Sequence, residues 1–442
     1  MPPSTDPALD SLLEGIEREL PRAVALRRRL HAAPELAHAE QQTAASVAAE
    51  LPVASQTAAG TGLIARVDPG ASSNRGAGSD RGAGSDAGPG SDPGADRCRL
   101  VAVRAELDGL PLRERTGASF AATGEVMHAC GHDVHMAALV ALVRAAHERA
   151  DALPAPLLAV FQPSEEAYPS GAQQLAGDPL AALAPAAIVA AHVHPELPWG
   201  SVALDHGTVN ASCDIFEITV EGEPSHGAYP HRGRDPILAI AQVVVALHAQ
   251  VGRRIDPLSA ASLTIGVLEA GSAENVIPAR AHARGALRAH RPQDRRALRE
   301  LVAETATAVA AAHGCRASVA LEPGEPALEN DARIVTRARE LLASANLTPA
   351  PEWRSCGSDD FAFFGALAPV AMAFVGLDGA EGFTARPLHH PELLPPDAAV
   401  GAVARVQALL YVAAARAAAD VPATPDAPDA PAGSTETNGQ YA

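Results

Sequence analysis

The chain contains no lysine: all 34 of its basic residues are arginine. That absence removes Schiff-base catalysis, a pyridoxal-phosphate anchor and a Walker-type phosphate loop together, since each needs a primary amine. Cysteine is sparse, with Cys98, Cys130, Cys213, Cys315 and Cys356 spread over 442 residues. An odd, scattered set does not read as a disulfide framework, so reduced thiols are expected. Positive charge is in deficit. The formal net charge of -18 is distributed along the chain and argues against nucleic acid or an anionic membrane as partner, leaving small soluble substrates as the better fit. No run of about 18 uninterrupted apolar residues occurs, as a membrane span would need. The start, Met1-Pro-Pro-Ser-Thr-Asp6, lacks the basic and apolar regions of a signal peptide. A cytoplasmic location is therefore expected.

What the sequence does have is a concentration of metal-ligand chemistry. Met127-His-Ala-Cys130-Gly-His132-Asp133-Val-His135 packs a thiol, three imidazoles and a carboxylate into one short segment. Gly131 allows a tight turn, so that Cys130 and His132 approach one cation from the same side. The apolar spacing of Met136, Leu139, Val140 and Val143 predicts a helix over 136–149, and a helix N-terminus favours the thiolate of a nearby cysteine.

With 47% hydrophobic residues the chain can bury a large core, and its length suggests two domains or one domain with an insertion. Residues 9–51 read as two helices parted at Pro34. Apolar runs at 61–67, 100–107, 157–161, 187–193 and 370–375 read as strands separated by helical stretches. This is an α/β pattern with a mainly parallel sheet and helices on both faces. In such sheets functional groups collect at the carboxyl ends of strands, and Glu106, Asp108, Glu165, Glu166 and His192 all follow candidate strands. Between the first strands, 69–97 carries a tandem Arg-Gly-Ala-Gly-Ser-Asp and reads as a flexible loop insert. From 211 to 321 the pattern changes to β-α-β-β-α-β, a ferredoxin-like α+β unit inserted into an α/β domain spanning 1–210 and 322–418. The Asp/Ala/Pro-rich stretch 419–442 is expected to be disordered.

Three further clusters add reactive groups. Glu165 and Glu166 are adjacent just past a buried strand; on an extended backbone they would point to opposite sides, one to metal and one to substrate water. Pro387-Leu388-His389-His390-Pro391 offers one of two imidazoles in a Pro-bounded turn. His226 lies among turn residues of the inserted unit.

These motifs in order resemble the M20 metallopeptidase family, in the amidohydrolase branch that includes hippurate hydrolases and auxin-conjugate hydrolases. The resemblance runs from Arg27-Arg-Arg-Leu-His31-Ala-Ala-Pro-Glu35 through Arg104-Ala-Glu106-Leu-Asp108-Gly-Leu-Pro111, Met127 to His132, Phe161 to Glu166, His192-Val-His194-Pro195, Gly271 to Pro278, Ser358-Asp-Asp-Phe361 and Leu388-His389. It implies two divalent metal ions (zinc, manganese, cobalt or nickel) held by Cys130, His132, Glu166, His192 and His389, with Asp108 supporting the ligands from behind. Glu165 would be the general base, and His226, lent by a partner subunit, would stabilise the oxyanion. Asn275 and Arg288 would contact substrate. The implied reaction is cleavage of N-acyl amino acids by a homodimer whose inserted unit serves as lid and dimerisation element. Departures from the family pattern are Glu106 in place of the usual Asp, Val134 in place of Gly and His194 where Trp is common. Three other readings stand beside it: a dipeptidase or carboxypeptidase using the same site, a thiol hydrolase with Cys130 as nucleophile and His132 or His135 as base, and a non-catalytic metal-binding scaffold.

Overall fold

The computed structural model describes residues 6–70 and 100–420. The loop insert expected at 69–97 and the tail expected from 419 thus lie almost wholly outside the described residues; at the boundary, the last helix continues to Ala419.

Eight strands form the main sheet, in spatial order Ser55–Ala58, Gly62–Val67, Leu157–Gln162, Val101–Glu106, Ala187–Pro198, Val370–Asp378, Ser201–Ala203 and Thr348–Pro349. The four central strands run parallel, and antiparallel neighbours flank them on either side. The sequence reading missed Ser55–Ala58, Ser201–Ala203 and Thr348–Pro349. They are too short to show an apolar period and owe their conformation to the strands they pair with.

Each central strand is mostly apolar because both its faces are covered, with polar groups such as Arg104, Glu106, Gln162 and His192 toward the carboxyl ends. Leu157, Ala159 and Phe161 face helices Pro7–Ala32, His132–Glu148 and Ala398–Ala419. Leu158 and Val160 meet the short helices Gly171–Gly177 and Leu180–Leu183 and the turn Asp360–Ala366 on the other side. Burying one side chain such as Phe161 contributes about 1.5–3 kcal/mol, which makes this three-layer arrangement the main stabilising element. Helix starts follow local chemistry: Asp6 caps Ala8 and Leu9 ahead of Pro7, and Ser170 caps Gln173. Two helices, Pro236–Arg254 and Ala398–Ala419, have the length and apolarity of a membrane span. Ala398–Ala419 is apolar because it is wedged among the sheet and three other helices, with 89% of its apolar window buried.

The second unit is built from strands Ser212–Glu221, Ala261–Ala270, Arg280–Ala289 and Arg316–Pro323 with helices Pro236–Arg254 and Pro292–Ala312. Its sheet runs Ala261–Ala270, Arg280–Ala289, Ser212–Glu221, Arg316–Pro323, antiparallel throughout. The helices cover one face through Ala239, Val243, Leu247, Leu298 and Val302, giving a ferredoxin-like α+β fold.

One buried carboxylate fastens the entrance and exit of this unit. Asp214 accepts hydrogen bonds from Arg295 Nε at 2.9 Å and Arg299 Nε at 2.7 Å, and from the Gly324 N–H at 3.2 Å. Burial opposes the ionised form, but the two guanidinium groups win and hold the carboxyl at about 2. A depressed folded-state value means the stabilisation is full above the unfolded value near 3.8 and is lost as pH falls through about 2. Asp214→Asn is therefore expected to lower the melting temperature at pH 7, with the difference from the parent chain shrinking below pH 4. Melting curves across pH check this, and a pH-independent difference would rule out the ion-pair account.

Candidate metal centre

The carboxyl ends of the central strands and the turn after Met127 meet at one pocket. Gly131 adopts φ +90° and precedes helix His132–Glu148, so the helix begins four residues earlier than its apolar period predicts. A Cβ on Gly131 would lie 2.5 Å from Val193 Cγ2, and both the positive φ and the close approach require glycine. His132 thereby sits in the first helical turn, fully buried. Its Nδ1 lies 2.8 Å from the Asp108 carbonyl oxygen, to which it donates, leaving Nε2 directed at the pocket.

Around that nitrogen the predicted ligands gather. Glu165 Oε2 and Glu166 Oε1 are each 3.9 Å from His132 Nε2. Cys130 Sγ is 3.4 Å from His192 Nε2, and His389 Nε2 is 3.4 Å from Glu166 Oε1. In three overlapping sets (Cys130, His132, His192; Cys130, Glu166, His389; His132, Glu165, Glu166) the ligand atoms lie within 4.8 Å of one another. The choice the sequence left open between the paired histidines falls to His389. It holds φ +64° and is tied by its N–H to the Ala129 carbonyl at 2.8 Å, whereas His390 Nδ1 accepts the Glu392 N–H at 3.1 Å.

The backbone at the two glutamates is bent rather than extended. Ser164 takes φ +50°, held by Glu40, which accepts its N–H at 2.8 Å, and by the His38 N–H at 2.9 Å to its hydroxyl. The bend turns both carboxylates toward the same imidazole instead of to opposite sides. Asp108 lies behind them, fully buried, with Oδ2 accepting the Glu166 N–H at 2.9 Å.

Three predicted residues sit elsewhere. His226 and Asn275 are exposed on the inserted unit, where strand Ser225–His226 pairs with Val276–Ile277 and the Gly227 N–H donates to Asn275 O at 2.7 Å. Among the described residues, neither is hydrogen-bonded or ion-paired to the pocket. Arg288, on the strand Arg280–Ala289, reaches back to Cys356 O at 3.0 Å and Ser358 Oγ at 3.4 Å, next to Asp359.

Several participants carried no assigned role in the sequence reading. Arg104 is buried, ion-paired with Glu106, and bonded to Asp360 at 2.9 Å and Gln162 at 2.8 Å. Asp359 and Asp360 form a further set with Glu165 within 4.8 Å. The adjacent acids of Ser358-Asp-Asp-Phe361 were the available signal, but nothing local says they are buried. A second network, Arg27 to Asp133 at 2.6 Å and Asp133 to His31 at 3.0 Å, fixes the first turn of helix His132–Glu148. Burial works against a charged His31, yet Asp133 and Glu114 push it up to about 9.

The electrostatics of the pocket call for added positive charge. Burial, then Asp359, Glu166 and Asp360, push the Glu165 carboxyl well above the usual carboxylate range against the pull of Arg104. Burial alone would keep His132 neutral, but Glu106, Asp108 and Glu166 drive it to about 10. Burial also raises the Cys130 thiol, reinforced by Glu166 and Glu165. His132 Nε2, Glu166 Oε1 and Asp108 Oδ1 are buried without a hydrogen-bond partner, an expense that folded proteins avoid unless something fills the gap. A thiol, imidazoles and carboxylates with inward lone pairs fit divalent cations.

A family model described as Peptidase family M20/M25/M40 matches residues 102–411. The chain belongs to the M20 family. Among M20 relatives, N-acetyl-L-cysteine deacetylase of Bacillus subtilis (strain 168) is 34% identical over 304 residues, covering 68% of this chain and 71% of the relative. N-acetyldiaminopimelate deacetylase of Bacillus pumilus (strain SAFR-032) is 31% identical over 321 residues, covering 72% and 83%. Of solved structures, the Bacillus subtilis YXEP protein, described as a dinuclear metal binding peptidase from the M20 family, superposes with TM-score 0.72 at 26% identity, covering 90% of this chain and 98% of that one. A Staphylococcus aureus crystal structure reaches TM-score 0.79 at 26% identity, covering 90% and 97%. Like its relatives, this M20 protein is a metal-dependent hydrolase of amide bonds.

Gly131→Ala forces an alanine into the left-handed region and against Val193, a cost of about 1–3 kcal/mol. The expected result is a lower urea midpoint together with weaker metal retention on gel filtration; an unchanged midpoint would show that the turn relaxes freely.

Proposed function

We propose that this enzyme cleaves N-acyl amino acids into a carboxylate and a free amino acid. The observation that carries the reading is the placement of Glu165: largely buried, 3.9 Å from His132, and left over once Cys130, His132, Glu166, His192 and His389 are assigned as ligands. Those five residues would hold two divalent ions, drawn from zinc, manganese, cobalt or nickel by the mixed softness of the set. When bound, such ions polarise a carbonyl and lower the pKa of water from 15.7 toward about 7.

The remaining work belongs to the side chains. Glu165, through Oε2, takes the proton of the attacking water and returns it to the leaving nitrogen as the tetrahedral adduct collapses. Asp108 keeps His132 and the Glu166 peptide in place. Arg288 and Asn275 are assigned to the substrate, with the Arg288 guanidinium suited to its carboxylate. The named substrates of the deacetylase relatives, N-acetylated amino acids, support this class.

His226 is assigned to oxyanion stabilisation from a second copy of the chain. Support comes from its exposure, from the open edge strand Ala261–Ala270, where Leu268 is 52% exposed, and from Val245, 63% exposed on helix Pro236–Arg254. Such an edge with apolar neighbours suits pairing with its own copy in a homodimer. A cytoplasmic setting accords with Cys130, Cys213, Cys315 and Cys356 all being free thiols.

The thiol-hydrolase reading has one observation in its favour, the 3.4 Å approach of Cys130 Sγ to His192 Nε2. The carboxylates that raise the Cys130 thiol oppose it, because an effective nucleophile needs the opposite shift.

Turnover of an N-acyl amino acid panel should disappear on chelation and return with added divalent metal; activity indifferent to chelator would refute the mechanism. Glu165→Gln should keep its metal while losing about 10²–10⁴-fold in kcat. Mixing Glu165→Gln with His226→Ala, each weak alone, should restore part of the activity through hybrid dimers. Failure to complement, with a dimer present by sedimentation, would place His226 in its own subunit's site or outside catalysis.

A further inference from the structure

The parallel ladder between Val101–Glu106 and Ala187–Pro198 stops at the pair Arg104 and Ala190. Beyond that point the Val193 N–H donates instead to His135 Nε2 at 3.0 Å. A ring nitrogen that accepts cannot carry the proton, so His135 is protonated on Nδ1, which donates to Glu106 Oε2 at 2.8 Å. Glu106 is in turn ion-paired with Arg104. All three side chains are buried.

The same residue, Val193, presents its carbonyl to the neighbouring imidazole: His192 Nδ1 lies 2.7 Å from Val193 O and donates to it. That bond leaves the His192 Nε2 lone pair facing Cys130 and the pocket. The opposite tautomer would set a lone pair against the carbonyl. His135 and His192 also stack edge to face with centroids 4.5 Å apart, so the ring has little room to swing.

We propose that Glu106 and His135 form a positioning relay that sets the tautomer of His192 through the Val193 backbone, presenting Nε2 as a ready ligand. This rests on the reading of His192 as a metal ligand. Arg104 orients Glu106 and also bonds Asp360, which neighbours Glu165. One buried guanidinium therefore braces the ligand side and the base side of the pocket together. Glu106 reaches both Arg104 and His135 from one carboxylate, and its extra methylene relative to Asp supplies the reach. Fixing a ligand through the hydrogen bond on its other nitrogen is a general device, and removing such a partner costs about 10–100-fold in metal affinity.

The test uses the full-length chain with 15N-labelled histidine. In the metal-depleted parent, His192 should show a single tautomer protonated on Nδ1, and zinc affinity is then measured by competition with a chromophoric chelator. His135→Leu should give a mixed or Nε2-protonated His192 and about 10–100-fold weaker zinc binding, with an unchanged circular dichroism spectrum. A His135→Leu protein retaining one Nδ1-protonated His192 and parental zinc affinity overturns the relay. Should that variant not fold, Glu106→Gln, matched in size, is expected to mix the His192 tautomers and weaken zinc several-fold; Glu106→Gln indistinguishable from the parent overturns it equally. A parent chain that binds no zinc would instead overturn the metal-centre reading, while the tautomer spectrum would still report on the relay, so the two failures are separable.

Discussion

The constraint that organises this molecule is the burial of Glu106, Asp108, Glu165, Glu166, Asp359 and Asp360 around one pocket, with Arg104 as their buried counter-charge. Carboxylates taken out of water are expensive unless paired, and a single guanidinium cannot satisfy so many. The surplus of negative potential drives His132 to about 10 and raises the Cys130 thiol. It is the reason a thiol, imidazoles and acids can share a space lined by the apolar ends of strands. The parallel sheet, covered on both faces, provides the rigid floor on which that charge is held.

Much of this was legible in the sequence because the residues that gather at the pocket end apolar strands or open a helix, where periodicity and composition change abruptly. Cys130, His132, Glu166 and His192 each stand at such a boundary. The inserted unit was legible for a similar reason, since its alternation and helical periods follow one another without ambiguity. What escaped depends on contacts between distant parts of the chain. The left-handed bend at Ser164 is held by Glu40 and His38, and no local pattern encodes it. The early start of the helix at His132 escaped because Gly131 caps it without a side chain. His135, Glu106 and Asp359 stand out by sequence, but the pairing of Glu106 with His135 and Arg104, and of Asp359 with Glu165, is a matter of tertiary contact alone.

The inserted unit contributes differently. Its own core is separate from the sheet's, and it meets the pocket's surroundings through Arg288 at the Cys356–Ser358 turn and through the clamp at Asp214. His226 and Asn275 are carried on its exposed side, away from the acids. Stable chemistry is thus concentrated in the α/β layers, and the groups assigned to substrate and oxyanion are carried on a body with its own fold.

His389 joins the pocket beside Glu166 from a loop that follows the last central strand, held by a hydrogen bond to Ala129. During synthesis, the ribosome has made Cys130, His132, Glu166 and His192 long before His389 emerges. A nascent chain therefore carries an incomplete pocket while its inserted unit is still being translated. The complete pocket exists only once that loop has been made.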